Sequence, residues 1–316
     1  MTRYAGRRLL GVIPTLLVLL LVVVLLMRML PGDIVDILLA ESGTQTPEVR
    51  AMLERRLGID KPLPQAYVTY VLGAARGDLG NSLWSGRSVT TILGNAAPVT
   101  AEVAFIAIAV SVLISIPMGV ISAVRRGSLT DHSLRLLSIL GISLPGFVLA
   151  TSIVILPALW FGKSLPFQFA GLLEDPVRNL NIVLPAAGVL GVLLSASIAR
   201  MMRTTMLDVL QQDYMRTARA KGLSGFSVVV RHGMKNALIP VVTLIGLQVA
   251  GLIGGSVITE SVFALPGLGR LLLDSLSRRD YPIVQGVVVS VGALVMLTNL
   301  VVDLSYGYLD PRVRYR

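Results

Sequence analysis

The sequence predicts an all-α, polytopic membrane protein of six transmembrane helices, and three observations carry that prediction. Hydrophobic residues make up 54% of the chain and charged residues only 15%, where a soluble domain carries about 25% charged residues. Six apolar stretches recur, each of roughly 20 residues or more, the length a helix needs to cross a bilayer. Uninterrupted runs of that kind read as helices and not as the alternating strands of a barrel. The third observation is a net charge of +10 that follows the loops: cytoplasmic connections of membrane proteins collect Lys and Arg. No basic face interleaved with aromatics accompanies it, so a nucleic-acid partner is not expected. The absence of cysteine excludes disulfides and Cys-ligated metal.

The spans are expected at 9–30, 98–124, 134–161, 180–202, 238–259 and 282–309. Arg3, Arg7 and Arg8 precede the first. Its apolar run is too long for a signal peptide and no small-x-small cleavage site follows, so an uncleaved anchor is expected. Residues 31–97 then form an extracytoplasmic segment long enough to be a small cap on the spans. Within it, Thr46-Pro47-Glu48 starts a helix in the usual way, with Thr before it, Pro at its first position and Glu in its first turn. A second helix is expected after Pro62-Leu63-Pro64, up to Ala75. Arg76-Gly77-Asp78 reads as a turn.

Few polar groups lie inside the spans. Glu102 sits one turn into the second and Asp303 lies in the last. Acids at such depth are functional-site hypotheses, although both stand near enough to a boundary to reach water or a partner helix. The third span is interrupted at Ser143-Leu144-Pro145-Gly146-Phe147, and Pro117 and Pro157 lie inside spans. Pro145 and Gly146 therefore read as a bend suited to a wall that opens and closes, a static kink being the alternative. In the fifth span Gly251 and Gly255, with Gly254 beside them, form a small-residue face for helix packing. Before the last span, Pro266-Gly267 is expected to start a short helix with Leu271, Leu272, Leu273 and Leu276 as its apolar side.

Charge counting orients the chain. With the N-terminus inside, the cytoplasmic segments hold 16 Lys plus Arg against 4 acids, and the outside segments, with Arg28, hold 12 of each. Both termini are therefore expected in the cytoplasm. So is the stretch 213–240, where a helix over 214–221 ends at Gly222, the residue suited to a left-handed C′ position. Ser224 can cap a second short helix from Gly225. Seven Lys or Arg against two Asp lie between Arg200 and Lys235. A solvated basic loop is the plain reading. The sharper one is a helix presented to a cytoplasmic partner, its angle set by Gly222, where a bulky residue such as Val would clash and re-aim the helix.

Enzyme chemistry finds no support. His132 and His232 are the only histidines, no HExxH pair occurs, and no Ser, His and acid set is available within the bilayer. Gly162-Lys163-Ser164 resembles the end of a phosphate-binding loop, but Pro157 stands where that loop requires glycine. No catalytic, cofactor-binding or metal-binding residue is assigned, and no cofactor is expected.

The 213–223 stretch, Asp213-Tyr214-Met215-Arg216-Thr217-Ala218-Arg219-Ala220-Lys221-Gly222-Leu223, resembles the EAA loop of binding-protein-dependent ABC importer permeases. That loop reads Glu-Ala-Ala, three residues, Gly; here Arg216 and Thr217 depart from it while Ala218 and Gly222 keep it. The wording is similar to the dipeptide and oligopeptide branch, and the resemblance covers nearly the whole chain. It includes Leu30-Pro31-Gly32-Asp33, Leu57-Gly58-Ile59-Asp60-Lys61-Pro62-Leu63, Arg76-Gly77-Asp78-Leu79-Gly80, Ser143-Leu144-Pro145, Asn236-Ala237-Leu238-Ile239-Pro240, Leu265-Pro266-Gly267-Leu268-Gly269-Arg270, Arg279-Asp280-Tyr281-Pro282 and Asp310-Pro311-Arg312. The joint order and spacing carry the likeness to the first of the two permease subunits, the DppB/OppB type.

The resemblance implies a type I ABC importer permease fold in a bacterial inner membrane, importing di- or oligopeptides. It implies a second homologous permease subunit as heterodimer partner, two cytoplasmic ABC ATPase subunits, and an extracytoplasmic substrate-binding protein. Six helices alone cannot enclose a peptide-wide path and still face lipid, which agrees. ATPase coupling would fall to Asp213, Tyr214, Arg216, Thr217, Ala218, Arg219, Ala220, Lys221, Gly222 and Leu223. The expected layout is an N-terminal tail and first span (1–30), the segment 31–97, a five-helix core (98–309) containing the coupling loop 203–237, and a cytoplasmic tail (310–316). Nickel- and glutathione-type permeases share most of these phrases. A stand-alone secondary carrier, the rival from another class, would need internal repeats and ionisable groups at mid-bilayer, and neither is visible.

Overall fold

The computed structural model describes residues 2–29, 35–36, 39, 46–57, 61–162 and 168–309. Among them there is no strand, only an isolated antiparallel bridge between Asn81 and Ser88. Several phrases read above lie wholly or partly outside the described residues: 30–33, 58–60, 163–164 and 310–312, and likewise the side chain of Asp303.

Among the described residues, four helices are long and apolar enough to cross a membrane, or five if one sharply bent pair is a single span. The sequence reading expects six. The difference lies in α1 (Thr2–Met29), whose described apolar stretch, Ile13–Leu26, is shorter than the others. The chain divides into two compact units, residues 1–100 with 266–297, and 101–265 with 298–316.

In the first unit, α2 (Pro47–Leu57) and α3 (Leu63–Ala75) start where their prolines predict. The Tyr67 hydroxyl of α3 donates to the Leu17 carbonyl of α1 at 2.9 Å, so α3 packs on α1. Arg76-Gly77-Asp78 is a turn, with the amides of Arg76 and Asp78 both bonded to the Gly73 carbonyl. Two phrases far apart in sequence then meet. Asp280, 2% exposed, accepts from the Ser82 hydroxyl at 2.6 Å and the Leu83 amide at 3.1 Å, and the Trp84 indole donates to the Arg278 carbonyl.

The core of this unit joins Val89, Leu93 and Ala96, at the start of α4 (Val89–Val124), to Leu268, Ile283 and Val287. Leu268 opens α10 (Leu268–Ser277), and the other two lie on α11 (Tyr281–Leu309). The predicted apolar side of α10 needs correction. Leu268 and Ser275 are buried, Leu271 and Leu272 pack against the core, and Leu273 and Leu276 face outward. The Leu268 amide donates to Thr100 Oγ1 at 2.8 Å; that anchor turns the face i, i+3, i+4, i+7 inward and leaves the other two leucines out.

The second unit is built around α7 (Pro176–Leu210). Asp175 caps it by accepting from the Arg178 amide at 3.0 Å, and Pro176 follows at N1. Its apolar window is 61% buried, against 22–28% for the other full-length spans, so α7 is the central helix. Small residues let its neighbours close in: a Cβ on Gly119 or Gly191 would lie 2.8 Å from a backbone carbonyl of the facing helix. The broken span is α5 (Leu129–Ser143) and α6 (Gly146–Phe161), which meet at 94°. Leu144-Pro145 makes the break, since the residue before proline is pushed out of the helical region; Leu144 has ψ 122°.

The last helix of this unit runs further than expected. Gly225–Ser227 form a helical turn, Val228–Gly233 continue as a π-helical segment, and α9 (Met234–Val262) follows without a break. The second short helix read from sequence is thus the first turn of the fifth span, because nothing between Gly225 and Met234 forces the backbone out of helical angles.

Candidate coupling site

The connection between α7 and the fifth span carries α8 (Asp213–Ala220). Gln212 adopts extended angles before it, and α8 ends through Lys221 into Gly222 at φ +76°. An L residue pays roughly 1–2 kcal/mol in that region, which glycine avoids. Ser224 then accepts from the Ser227 amide at 3.3 Å as the cap of the following turn. Both local signals in the sequence are therefore in place. The expected clash is not: a Cβ on Gly222 would have nothing within 4 Å, so a substitution there costs backbone strain alone.

The helix is two-faced. Met215 is fully buried and Ala218 is 7% exposed; with Val228 they pack against Val209 and Leu210. Behind them the chain passes at Gly233, where a Cβ would sit 2.7 Å from Met206 Cε and 3.3 Å from Met215 Cε. The π-helical segment brings that glycine against the two methionines. At one edge the Asn236 side-chain amide donates to the Tyr214 hydroxyl at 2.8 Å. Asp213, Tyr214, Arg216, Thr217, Arg219, Ala220, Lys221, Gly222 and Leu223 remain exposed. Arg216 and Asp213 are 3.8 Å apart on that open surface, a pairing worth little. The inner face thus fixes α8 to the spans while the outer face presents aromatic, basic and aliphatic groups together.

The other singled-out residues divide. Pro145 and Gly146 stand at the 94° break, and a Cβ on Gly146 would come within 2.9 Å of Leu193 Cδ1. Gly251 has no neighbour within 4 Å and Gly255 has only Leu190 Cδ2 at 3.9 Å; both are exposed.

Two polar pairs in this unit escaped the sequence reading. Asp131, 1% exposed, receives Arg203 Nε and Nη2 at 2.8 and 2.9 Å, the Ser122 hydroxyl at 2.6 Å and the Gly127 amide at 3.0 Å. This fork ties the end of α4 and the start of α5 to α7 just before α8. The signal available was Ser128 three residues before Asp131, a capping pattern, but nothing in sequence names Arg203. The second pair is Glu102 with Asn179. The Asn179 amide donates to Glu102 Oε2 at 3.3 Å and to the Ala170 carbonyl at 3.0 Å. Glu102 Oε1 and Asn179 Oδ1 are buried and have no hydrogen-bond partner.

Comparison with known proteins agrees with this architecture. Residues 115–315 match the family described as binding-protein-dependent transport system inner membrane component, and residues 1–104 match the N-terminal part of the same system's membrane component. The chain is 39% identical over 340 residues to the dipeptide transport system permease protein DppB of Escherichia coli (strain K12). It is 40% identical over 339 residues to the di/tripeptide transport system permease protein DppB of Pseudomonas aeruginosa (strain UCBPP-PA14). It is also 40% identical over 316 residues to the glutathione transport system permease protein GsiC of Pectobacterium atrosepticum. In all three, 100% of each chain is covered. Among solved structures, an inward-facing MetNI methionine ABC transporter chain superposes with a TM-score of 0.56 at 19% identity, covering 69% of this chain and 96% of that one.

Proposed function

The chain belongs to the binding-protein-dependent transport system inner membrane components, and from that membership we propose that it is the permease subunit of an ATP-driven importer of di- and oligopeptides. It spans the inner membrane six times with both termini in the cytoplasm, following the charge count of its loops. It forms half of a translocation path with a second, homologous permease. Two cytoplasmic ATPases supply the energy, and an extracytoplasmic binding protein delivers the peptide.

The observation that carries this reading is the two-faced α8. Met215 and Ala218 lock it onto the spans, while Tyr214, Arg216, Thr217, Arg219, Ala220 and Lys221 stand free to enter a cleft on an ATPase. Movement of the ATPases would reach the spans as a rigid-body shift through this one helix. Gly222 and Leu223 set its exit angle. The break at Pro145 and Gly146 gives the wall a place to bend, and the open Gly251 and Gly255 suit close approach by a helix of the partner permease.

The test is uptake of labelled dialanine by the assembled importer in vesicles. Gly222→Val, which strains the left-handed turn without a clash, is expected to lower uptake and peptide-stimulated ATP hydrolysis about 5- to 30-fold, the equivalent of 1–2 kcal/mol. Gly222→Asn, which tolerates positive φ, is expected to keep most of both. Equal uptake by the Val and Asn variants would remove α8 from the coupling path. The GsiC likeness favours a second substrate reading, and glutathione competing with dialanine at equal concentration would support it.

A further inference from the structure

We propose that the buried pair Asp131 and Arg203 makes α8, the cytoplasmic end of α7 and α5 one moving body, and that the two are positioning residues for transport. The inference rests on the importer reading above, in which α8 takes up the motion of the ATPases, and adds the route by which that motion reaches the broken span.

The last turns of α7 carry both parts. Val209 and Leu210 pack against Met215 and Ala218 of α8, and Arg203 stands about two turns before α7 ends at Leu210. From there its fork reaches Asp131 Oδ1 and Oδ2 at 2.8 and 2.9 Å. Asp131 also accepts from Ser122 on α4 and from the Gly127 amide in the turn before α5. Its own amide donates to the capping Ser128 hydroxyl at 3.2 Å, so the first turn of α5 is fixed at the same point. α5 then runs back along α7, where a Cβ on Gly141 would lie 3.0 Å from Ala196 Cβ. It stops at Leu144-Pro145, and α6 departs at 94°. A push on α8 thus arrives at the fork, passes into α5 and ends at the bend.

Holding α4 to α7 does not by itself call for charge. Ala123, Ile198, Met202 and Met206 already share one apolar core there, and a buried ion pair is often no more stabilising than well-packed apolar side chains. What the pair adds is direction. A guanidinium fork on a carboxylate fixes angle and distance together. Aliphatic contacts alone let packed helices slide past one another, which is how shear motions arise. Such slack at this point would let α7 follow α8 while α5 stayed behind. The fork removes that slack at the level of the membrane wall nearest to α8.

The test separates strength from direction in the assembled importer. Asp131→Leu with Arg203→Met replaces the fork by apolar packing. Against Asp131→Asn it is expected to regain heat stability, yet the dialanine taken up per ATP hydrolysed should stay about fivefold or more below wild type. That ratio does not depend on how much complex is folded, so a purely structural pair would leave it untouched. A wild-type ratio in the double variant overturns the proposal. A second measurement needs neither that variant nor the peptide. The chain has no cysteine, so spin labels can be attached through Arg126→Cys and Gln211→Cys, both at exposed positions on either side of the fork. Their separation is expected to stay within about 2 Å when the importer binds ATP. A larger change would mean that α7 and the turn before α5 part company, and that the proposal is wrong. Failure of the wild-type importer to take up dialanine would instead reject the peptide reading, and the label distance would still judge the fork.

Discussion

Two carboxylates in the same unit are treated in opposite ways. Asp131 receives four donors, two of them from the fork of Arg203. Glu102 receives one long bond and leaves an oxygen bare. Asp131 is 1% exposed, and Glu102 is only half-buried although its bare oxygen is hidden. The difference lies in whether the chain supplies its own counter-charge. Where it does, the carboxylate can only hold elements together, and Asp131 holds the end of α4 and the start of α5 against α7. Where it does not, as at Glu102, one carboxylate oxygen is left without a partner in the chain. Asp131 is therefore a clamp, and Glu102 is not.

The largest effect should come from breaking the clamp. Asp131→Asn leaves the Arg203 guanidinium, whose side chain is only 20% exposed, without its partner. Removing one member of a buried pair typically costs about 3–5 kcal/mol. Solvent reaching Arg203 puts this case at the low end, about 3 kcal/mol. The expected outcome is a clear fall in the temperature at which the detergent-purified complex loses monodispersity. Asp131→Leu with Arg203→Met removes both charges and should recover a good part of the loss. A double variant no better than the single one would mean that the geometry of the fork, and not the stranded charge, carries the cost.

The clamp was the least legible part of the molecule in sequence, and the reason is distance. Ser128, Asp131 and the cap they make are local, but Arg203 joins from 72 residues away. The same holds for Asn179 with Glu102, 77 residues apart: the acid could be noticed alone, its partner could not. What could be read was whatever depends on neighbours in the chain. Gly222 ends α8 and Ser224 caps the next turn because those choices are made by adjacent backbone, and Pro47, Pro62 and Pro176 mark helix starts for the same reason. The apolar side of α10 failed the reading because four leucines offer more than one face, and a bond from Leu268 to Thr100 selects among them. The continuous helix through Gly233 failed because only packed Met206 and Met215 show why a π-helical segment and a glycine belong there.

A smaller effect should follow from trimming the clamp without stranding a charge. Ser122→Ala removes one of the four donors and leaves the fork intact. A hydrogen bond to a charged group contributes about 1.5–3 kcal/mol at most, and the three remaining donors should hold the loss near 1 kcal/mol. Heating curves should therefore rank Ser122→Ala between wild type and Asp131→Asn. If it matched Asp131→Asn, the hydroxyl and not the guanidinium would be the principal partner of Asp131.

The smallest effect, and the one of opposite sign, is expected at Glu102. Gln keeps the shape of Glu and its acceptor oxygen can stay on the Asn179 amide. Its new N–H₂ group takes the place of Oε1, so the substitution removes a charge and puts a donor where an acceptor had no partner. Stability should then be unchanged or raised by up to about 1 kcal/mol, while Asp131→Asn, the same chemical change at the clamp, lowers it. If the heating curve of Glu102→Gln falls as far as that of Ser122→Ala, Glu102 Oε1 has a donor in the assembled importer, and the contrast between the two carboxylates collapses.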